Sequence, residues 1–230
     1  MRKLLLVFLV LWSLLPALTV SDLLKDVQDK RVRIKSYQSE TVTVMESPMI
    51  GRRVQQGITY YQYPDLIRTD SFNPRQTVLN ISGKTYIISS GHINETQNEN
   101  ALIASFKSPE NILDKFDLKL ETLEKGWCMT GAPRSADSED FFSSVYFSRV
   151  MIILDSQKNI TSITLYDSLA KEVLNVKTIY EEINDLTFPA RTEVCLSEAK
   201  IKVATEHKHI KLNTPLEPGL FDPEKISKGE

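Results

Sequence analysis

The stretch GITYYQYPDLIRTD, residues 57–70, predicts one corner of an antiparallel β-hairpin. Its first part, residues 58–61, alternates with the period of two that is typical of a strand. The strand ends at Tyr63-Pro64-Asp65, because proline cannot donate a hydrogen bond to a strand ladder and aspartate favours a turn. A second strand begins directly after this turn. The corner therefore places two neighbouring strands of one sheet.

Strand-like segments continue on both sides of this corner, and most are joined by short turns. Short connections favour an up-and-down antiparallel order. A twisted sheet of about eleven strands tends to curl. We therefore predict a mainly β (α+β) fold, in which a curled antiparallel sheet forms a half-open barrel.

Helical segments are predicted to cover one face of this sheet. Ser21 or Asp22 is expected to cap an amphipathic N-terminal helix of about three turns. Two short apolar segments, 101–106 and 108–116, follow a polar loop at 90–100 and are expected to lie across the sheet as lid helices. The candidate lid residues are Leu102, Ile103, Phe106, Ile112 and Leu113.

The first twenty residues predict a signal peptide. Arg2 and Lys3 form a basic start, and the apolar run 4–15 is short for a membrane span. We expect cleavage near residues 19–21, which leaves residues 21–230 as a single exported domain. An uncleaved N-terminal anchor is the alternative.

Composition excludes one functional class. The 230 residues contain 41% hydrophobic and 25% charged residues, with a formal net charge of −2. These are ordinary globular proportions. Nucleic-acid binding requires clustered positive charge, whereas lysines and glutamates are spread along this chain.

Cys128 and Cys195 are the two cysteines of the chain. An exported protein meets oxidising conditions, so a disulfide is one interpretation. Three strand-like segments lie between them, which in a meander separates the two by on the order of 19 Å. Two free, partly buried thiols are the other interpretation, and the sequence leaves both open.

Several motifs in a fixed order resemble the LolA-like superfamily of periplasmic lipoprotein carriers and outer-membrane lipoprotein-sorting proteins. The resemblance covers residues 21–222, nearly all of the expected mature chain. The motifs are the exported N-terminus, KSYQ at 35–38, the hairpin corner at 57–68, NISGKTY at 80–86, LD at 154–155, ITLYD at 163–167 and FPAR at 188–191.

The resemblance implies a half-barrel closed by helices over an apolar cavity, in which carriers of this family hold the acyl chains of a lipoprotein in transit to the outer membrane. It implies a monomeric periplasmic carrier, a chaperone of protein transport and outer membrane biogenesis, that binds lipoproteins or lipid acyl chains and needs no cofactor. Its implied partners are an inner-membrane lipoprotein-releasing transporter and an outer-membrane acceptor. The alternative within the same fold is a periplasmic regulatory or sensor module that binds an anti-sigma factor and has no transport role.

One position departs from the family pattern. The proteobacterial carriers place an arginine before the proline of the hairpin corner, where it helps to hold the lid helices, whereas this chain has Tyr63. Tyrosine can donate one hydrogen bond but carries no charge. Arg68 lies nearby at a different motif position. Tyr63 and Arg68 are the candidate switch residues of the corner.

Apolar residues that alternate along the predicted strands are the candidates for lining the cavity. The sequence alone does not say which face is concave, and an error of one residue moves every candidate of a strand to the other side. The candidates are Val42, Val44, Ile58, Tyr60, Leu79, Ile81, Ile163, Leu165, Leu174 and Val176.

Sequence signatures of enzymes are absent: the chain has no G-x-S-x-G, H-E-x-x-H or glycine-rich phosphate loop. His207 and His209 are two apart on a predicted strand and are expected to share a face. Lys208 and Lys211 crowd them, so we expect no metal site. We therefore predict a binding protein and no enzymatic activity.

Overall fold

The computed structural model describes residues 18–81, 83–96, 116–134 and 147–229. These residues form one antiparallel sheet of thirteen strands, with an N-terminal helix and a short C-terminal helix. The elements are α1 (Val20–Val32), β1 (Ser36–Ser47), β2 (Gly51–Gln62), β3 (Leu66–Phe72), β4 (Arg75–Ile81), β5 (Lys84–Ser89), β6 (His92–Thr96), β7 (Phe116–Leu123), β8 (Gly126–Pro133), β9 (Arg149–Leu154), β10 (Ile160–Tyr166), β11 (Glu172–Ile183), β12 (Leu186–Leu196), β13 (Ile201–Leu212) and α2 (Pro223–Lys228).

The helix α1 is capped by Thr19, which forms a capping box with Asp22. The Thr19 hydroxyl accepts a hydrogen bond from the backbone N–H of Asp22, and the Asp22 carboxylate accepts one from the backbone N–H of Thr19. These bonds satisfy donors at the helix start, and hydrogen bonds from Thr19 lower the pKa of Asp22. The prediction that Ser21 or Asp22 is the N-cap is wrong, because Asp22 is instead the reciprocal partner of the cap.

The strand order is β6-β5-β4-β3-β2-β1-β13-β12-β11-β10-β9-β8-β7. We call β1–β6 the N-terminal half and β7–β13 the C-terminal half; each is an up-and-down meander, and the pairing of β1 with β13 joins them. The outermost strands are β6 and β7, so the described sheet is open. This confirms the predicted mainly β, half-open fold. The count is thirteen strands rather than about eleven, and β6 occupies part of the segment predicted as a polar loop.

At two glycines within the strands, the backbone of the neighbouring strand comes close. A Cβ atom at Gly57 in β2 would collide with the backbone carbonyl oxygen of Asp70 in β3. A Cβ atom at Gly131 in β8 would collide in the same way with Asp117 in β7. The strand register places both missing side chains on the side that carries α1, and the absence of a side chain there lets the backbone of the neighbouring strand come close. We call this side the inner face and the opposite side the outer face.

The main hydrophobic core lies on the inner face of the C-terminal half. Directly opposed residues of antiparallel strands share a face, which identifies its members from the register. The helix α1 packs against this core with Val20, Leu24 and Val27. At its centre, a row of opposed and buried residues crosses β8 to β11: Met129, Ile152, Ile163 and Val176.

The C-terminal segment covers the outer face of the N-terminal half. Leu79 in β4 and Ile88 in β5 are buried on this face. The helix α2 contacts β5 and β6, and the carbonyl oxygen of Leu220 accepts a hydrogen bond of 2.9 Å from Arg68 Nη1. The two halves of the sheet are therefore covered on opposite faces.

Both cysteines are free thiols: Cys128 is buried in β8, and Cys195 is partly buried in β12. Three strands, β9 to β11, separate them. Burial raises the pKa of the Cys128 thiol. The free-thiol interpretation is therefore confirmed.

Neither helix of the described residues has the length and apolar content that crossing a membrane requires. Residues 1–17, which make up most of the predicted signal peptide, lie outside the described part of the chain. The signal peptide and the single domain at 21–230 stay predictions.

Candidate functional site

The register divides the predicted cavity residues between the two faces of the sheet. The candidates in β1, β2 and β4 face outward, and those in β10 and β11 face inward. One cavity cannot contain both groups, because the backbone of the sheet lies between them. The outer group is Val42, Val44, Ile58, Tyr60, Leu79 and Ile81; the inner group is Ile163, Leu165, Leu174 and Val176.

The inner group forms part of the buried core under α1. Ile163 opposes Val176, and Leu165 opposes Leu174. Partly buried apolar side chains continue this core along β7, β8 and β12, and the register places them on the same inner face. We call these five residues the apolar margin: Leu118, Leu120, Trp127, Val194 and Leu196.

The outer group lies on the face that the C-terminal segment covers. Leu79 is fully buried there. The guanidinium carbon of Arg68 lies 5.7 Å from the centre of the Tyr60 ring. Arg68 also donates a hydrogen bond to the Leu220 carbonyl oxygen, so this part of the outer face contacts the chain's own C-terminal segment.

The candidate lid residues lie outside the described part of the chain. Their helical structure and their role as a lid therefore stay predictions. They are Leu102, Ile103, Phe106, Ile112 and Leu113.

Hydroxyl side chains form a connected group on the inner face of the N-terminal half, which also carries Tyr61 and Ile67. Thr59 Oγ1 in β2 lies 3.4 Å from Thr41 Oγ1 in β1 and 3.3 Å from Thr69 Oγ1 in β3. Beside them, Gln55 Nε2 donates a hydrogen bond of 2.6 Å to Ser71 Oγ. We call Thr41, Thr59, Thr69 and Ser71 the hydroxyl surface. A further row of opposed threonines extends it across the junction of the halves: Thr43, Thr205, Thr192 and Thr178.

A cluster of rings adjoins the hydroxyl surface at the junction of β1 and β13. The ring of His207 lies 6.1 Å from that of Tyr37 and 5.4 Å from that of Phe188, both nearly perpendicular to it. His207 Nδ1 and Ser39 Oγ are hydrogen-bonded at 2.8 Å. Burial lowers the pKa of His207 to about 4. The imidazole is therefore neutral at neutral pH, and this part of the inner face carries no charge from it.

His207 and His209 lie on opposite faces of the sheet. β13 carries an extra residue opposite Ser39, and His209 has a φ of 49°. His209 Nδ1 consequently lies 2.9 Å from Oε2 of the outward-facing Glu40. The expectation that the two histidines share a face is wrong, because this bulge interrupts the alternation. In the ranges that the structure describes, no group of three or more His, Cys, Asp or Glu side chains is placed to hold a metal ion.

A cavity of about 280 Å³ lies near the turn between β9 and β10. Its walls include Asp155, Asn159, Tyr180 and Glu182, and Lys30 Nζ of α1 donates a hydrogen bond of 3.0 Å to Asn159 Oδ1. Burial raises the pKa of Tyr180 to about 12. This lining is polar and acidic, so the cavity does not suit an acyl chain.

Solved structures share this architecture. A DUF1329 family protein from Desulfovibrio piger aligns with a TM-score of 0.63 and 12% identity, over 87% of this chain and 95% of that protein. A domain from Vibrio parahaemolyticus described as a putative outer membrane lipoprotein-sorting protein aligns with a TM-score of 0.63 and 11% identity, over 89% of this chain and 97% of that domain. A LolA superfamily protein from Nitrosomonas europaea aligns with a TM-score of 0.61 and 11% identity, over 89% of this chain and 98% of that protein.

This chain has the LolA fold. No family model and no curated protein matches its sequence. The likeness to the solved structures therefore concerns the fold, and the function has to be argued from the site.

The hairpin corner of this LolA fold contacts the segment that follows α1. Lys35 Nζ lies 4.5 Å from the centre of the Tyr63 ring, as in a cation–π interaction. The backbone N–H of Tyr63 also donates to the Lys35 carbonyl oxygen at 2.8 Å. Tyr63 thus lies beside a cation that another segment provides. Its role as a switch stays a prediction.

Arg68, the second candidate at the corner, faces outward. Its Nε lies 2.9 Å from Asp70 Oδ1, and its Nη2 lies 2.8 Å from Asp70 Oδ2. Its Nη1 donates to the Leu220 carbonyl oxygen. Arg68 therefore contacts Asp70 and the C-terminal segment, whereas Tyr63 contacts Lys35.

The sequence interpretation missed the hydroxyl surface and the apolar margin of this LolA fold. One signal for the hydroxyl surface was present: small hydroxyl residues alternate along 39–43, and Gly57 interrupts the opposite strand. A glycine inside a strand indicates a close approach of another backbone. Trp127 carried no comparable signal, because its face depends on the pairing of β8 with β9.

Proposed function

We propose that this protein is a periplasmic carrier that binds the acyl chains of lipoproteins, or of other lipids, on the inner face of its curled sheet and transfers them toward the outer membrane. The observation that carries the proposal is the apolar margin, which extends the core under α1 along the inner face of the sheet. Each CH₂ group moved from water to such a surface gains about 0.8 kcal/mol.

The hydroxyl surface suits the polar end of the same ligand. Buried polar groups of a ligand require hydrogen-bond partners, and the partly buried Thr43 and Thr69 carry hydroxyls on this face that can donate and accept. Val194 of the margin and Thr192 lie two residues apart on the inner side of β12. An acyl chain bound on the apolar margin would therefore have its polar end next to the row of threonines that includes Thr192.

In this proposal the carrier acts as a monomer between an inner-membrane lipoprotein-releasing transporter and an outer-membrane acceptor. The fold that it shares with a LolA superfamily protein and with a domain described as lipoprotein-sorting supports this role. Export follows from the predicted signal peptide. Binding and release need no covalent step, so we propose no enzymatic activity and no cofactor.

Trp127 provides a direct test of acyl binding. The chain contains Trp12 and Trp127, and removal of the predicted signal peptide leaves Trp127 of the margin as the single tryptophan. Titration of the mature protein with brominated palmitate should quench its fluorescence saturably, whereas unbrominated palmitate should compete. A folded sample that shows no saturable quenching contradicts the proposal.

Two aspartate variants separate binding on the inner face from binding elsewhere. Leu120→Asp places a charge on the margin, next to the core, and should weaken the binding of palmitate at least tenfold, since a charge near the acyl chain must be desolvated. The matched control is Ile179→Asp, on an exposed residue of the outer face, which should leave the affinity unchanged. Equal effects of the two variants would show that the ligand is not held by the margin.

A further inference from the structure

The β1–β2 hairpin extends past β3, its neighbour on one side, and reaches the edge of the sheet where β13, its neighbour on the other side, begins. β2 pairs with β3 from Gly57 onward, so residues 51–56 extend beyond the turn between β3 and β4. At about 3.3 Å per residue this extension is on the order of 20 Å. We call residues 45–54, which include the turn at the tip, the hairpin arm.

Large apolar side chains are concentrated on the hairpin arm. Of the eleven exposed large apolar residues that the structure describes, the arm carries Met45, Met49, Ile50 and Val54. Met49 is 93% exposed and Ile50 is 42% exposed. Single exposed apolar residues are ordinary on a protein surface, whereas a group at a projecting tip indicates an interaction site.

The turns at the same edge of the sheet continue this apolar character. Phe72 precedes the turn between β3 and β4, and Leu169, which is 85% exposed, lies in the turn between β10 and β11. Antiparallel pairing places these turns and the tip of the arm at one edge. The turn between β7 and β8, with Leu123, lies at the opposite edge.

Positive charge surrounds the hairpin arm. In the register, Glu46 opposes both Arg52 and Lys202, and Met45 opposes Arg53. Arg52 pairs with Glu46 at 3.4 Å, whereas Arg53, Lys200 and Lys202 have no ion-pair partner among the described residues. These four cations and the two acids Glu46 and Glu198 give the arm and the adjacent turn between β12 and β13 a charge of +2. The formal net charge of the whole chain is −2.

We propose that the hairpin arm docks on a lipid bilayer with anionic headgroups. Met49 and Ile50 enter the interfacial region, and Arg53, Lys200 and Lys202 contact lipid phosphates. Exposed apolar side chains beside cations are the combination that binds such interfaces. A stable protein partner needs about 800 Å² of complementary surface on each side, which is more than the four exposed apolar residues of the arm are expected to offer. A bilayer needs no matching shape.

Vesicle sedimentation tests the proposal without any acyl ligand. The mature protein should sediment with vesicles of phosphatidylethanolamine and phosphatidylglycerol at 7:3, and markedly less with phosphatidylcholine alone. Met49→Asp should weaken partitioning at least tenfold. Arg53→Glu should weaken it several-fold on the anionic vesicles only, and added salt should reduce the binding of the unaltered protein.

Leu123→Asp is the matched control, because Leu123 is 41% exposed, close to Ile50, but lies at the opposite edge. It should leave vesicle binding unchanged. The proposal is overturned if the unaltered protein does not sediment with anionic vesicles, or if Met49→Asp binds these vesicles as strongly as the unaltered protein does. It is equally overturned if Leu123→Asp weakens vesicle binding as much as Met49→Asp does. It is also overturned if Met49→Asp abolishes binding to a protein partner while vesicle binding stays unchanged, because the arm would then be a protein-binding site. Quenching of Trp127 by brominated palmitate should persist in Met49→Asp, which separates this proposal from the proposed carrier function.

Discussion

The two halves of the sheet are covered by terminal segments on opposite faces. In the C-terminal half the apolar residues face inward, and α1 covers them. In the N-terminal half Leu79 and Ile88 face outward under the C-terminal segment, and the inner face carries the hydroxyl surface together with the buried Tyr61. The difference shows that apolar alternation within a strand identifies a covered face, whereas the side of the sheet on which this face lies depends on which segment covers it.

The largest expected effects concern the two covered faces. Leu79→Ala and Leu165→Ala should each lower the free energy of unfolding by about 2–5 kcal/mol, because both remove a buried side chain and leave a cavity. Urea denaturation measures this loss. Only Leu165→Ala should also change the emission of Trp127, since both residues belong to the inner core. A loss below about 1 kcal/mol for Leu79→Ala would contradict its burial under the C-terminal segment.

His207 makes the junction of the halves sensitive to acid. Its pKa is about 4 in the folded protein and 6.5 as the ordinary value, so the unfolded chain binds the proton first as the pH falls. Stability is therefore full above pH 6.5 and declines as the pH falls from 6.5 toward 4. Between pH 7 and pH 5 the contribution of His207 should be about 2 kcal/mol.

The variant His207→Gln isolates this contribution, because glutamine stays neutral and can still hydrogen-bond with Ser39. Urea midpoints at pH 7 and pH 5 should differ less in the variant than in the unaltered protein. Equal differences would mean that His207 titrates normally in the folded state.

Arg68 should hold the C-terminal segment on the outer face. Arg68→Met removes the bonds to Asp70 and Leu220 and should cost about 2 kcal/mol, since charge-assisted bonds contribute about 1.5–3 kcal/mol. Limited proteolysis should then cut the C-terminal segment faster. Arg68→Lys keeps the charge but cannot form the paired bonds, so an intermediate rate is expected. Unchanged proteolysis in Arg68→Met would refute the anchoring role.

The smallest effect is expected on the hydroxyl surface. Thr59→Val keeps the shape but removes the hydroxyl that links Thr41 and Thr69, and should cost about 1 kcal/mol. The control Thr130→Val lies on the outer face of β8 and should change stability by less than about 0.5 kcal/mol. Equal losses in the free energy of unfolding for the two variants, measured by urea denaturation, would show that the inner hydroxyls contribute no more than an ordinary surface hydroxyl.

The sequence predicted the strands, their antiparallel order and the curl, because these depend on local alternation and short turns. It did not predict the face of Val42 or Leu79, because that depends on a segment more than a hundred residues away in the chain. The bulge opposite Ser39, which turns His209 outward, was invisible for a similar reason: it arises only when β1 pairs with β13. The sequence therefore grouped residues of two opposite faces into one cavity, because only the pairing of the strands separates them.

The most direct test of the carrier proposal moves the tryptophan from the inner to the outer face. Ile153 lies outward in β9, opposite Cys128 and one residue along β8 from Trp127. In the double variant Trp127→Phe and Ile153→Trp, the single tryptophan of the mature protein reports on the outer face. Brominated palmitate should quench Trp127 of the unaltered protein saturably and leave the tryptophan at position 153 nearly unquenched. Equal or stronger quenching at position 153 would contradict an acyl-binding inner face.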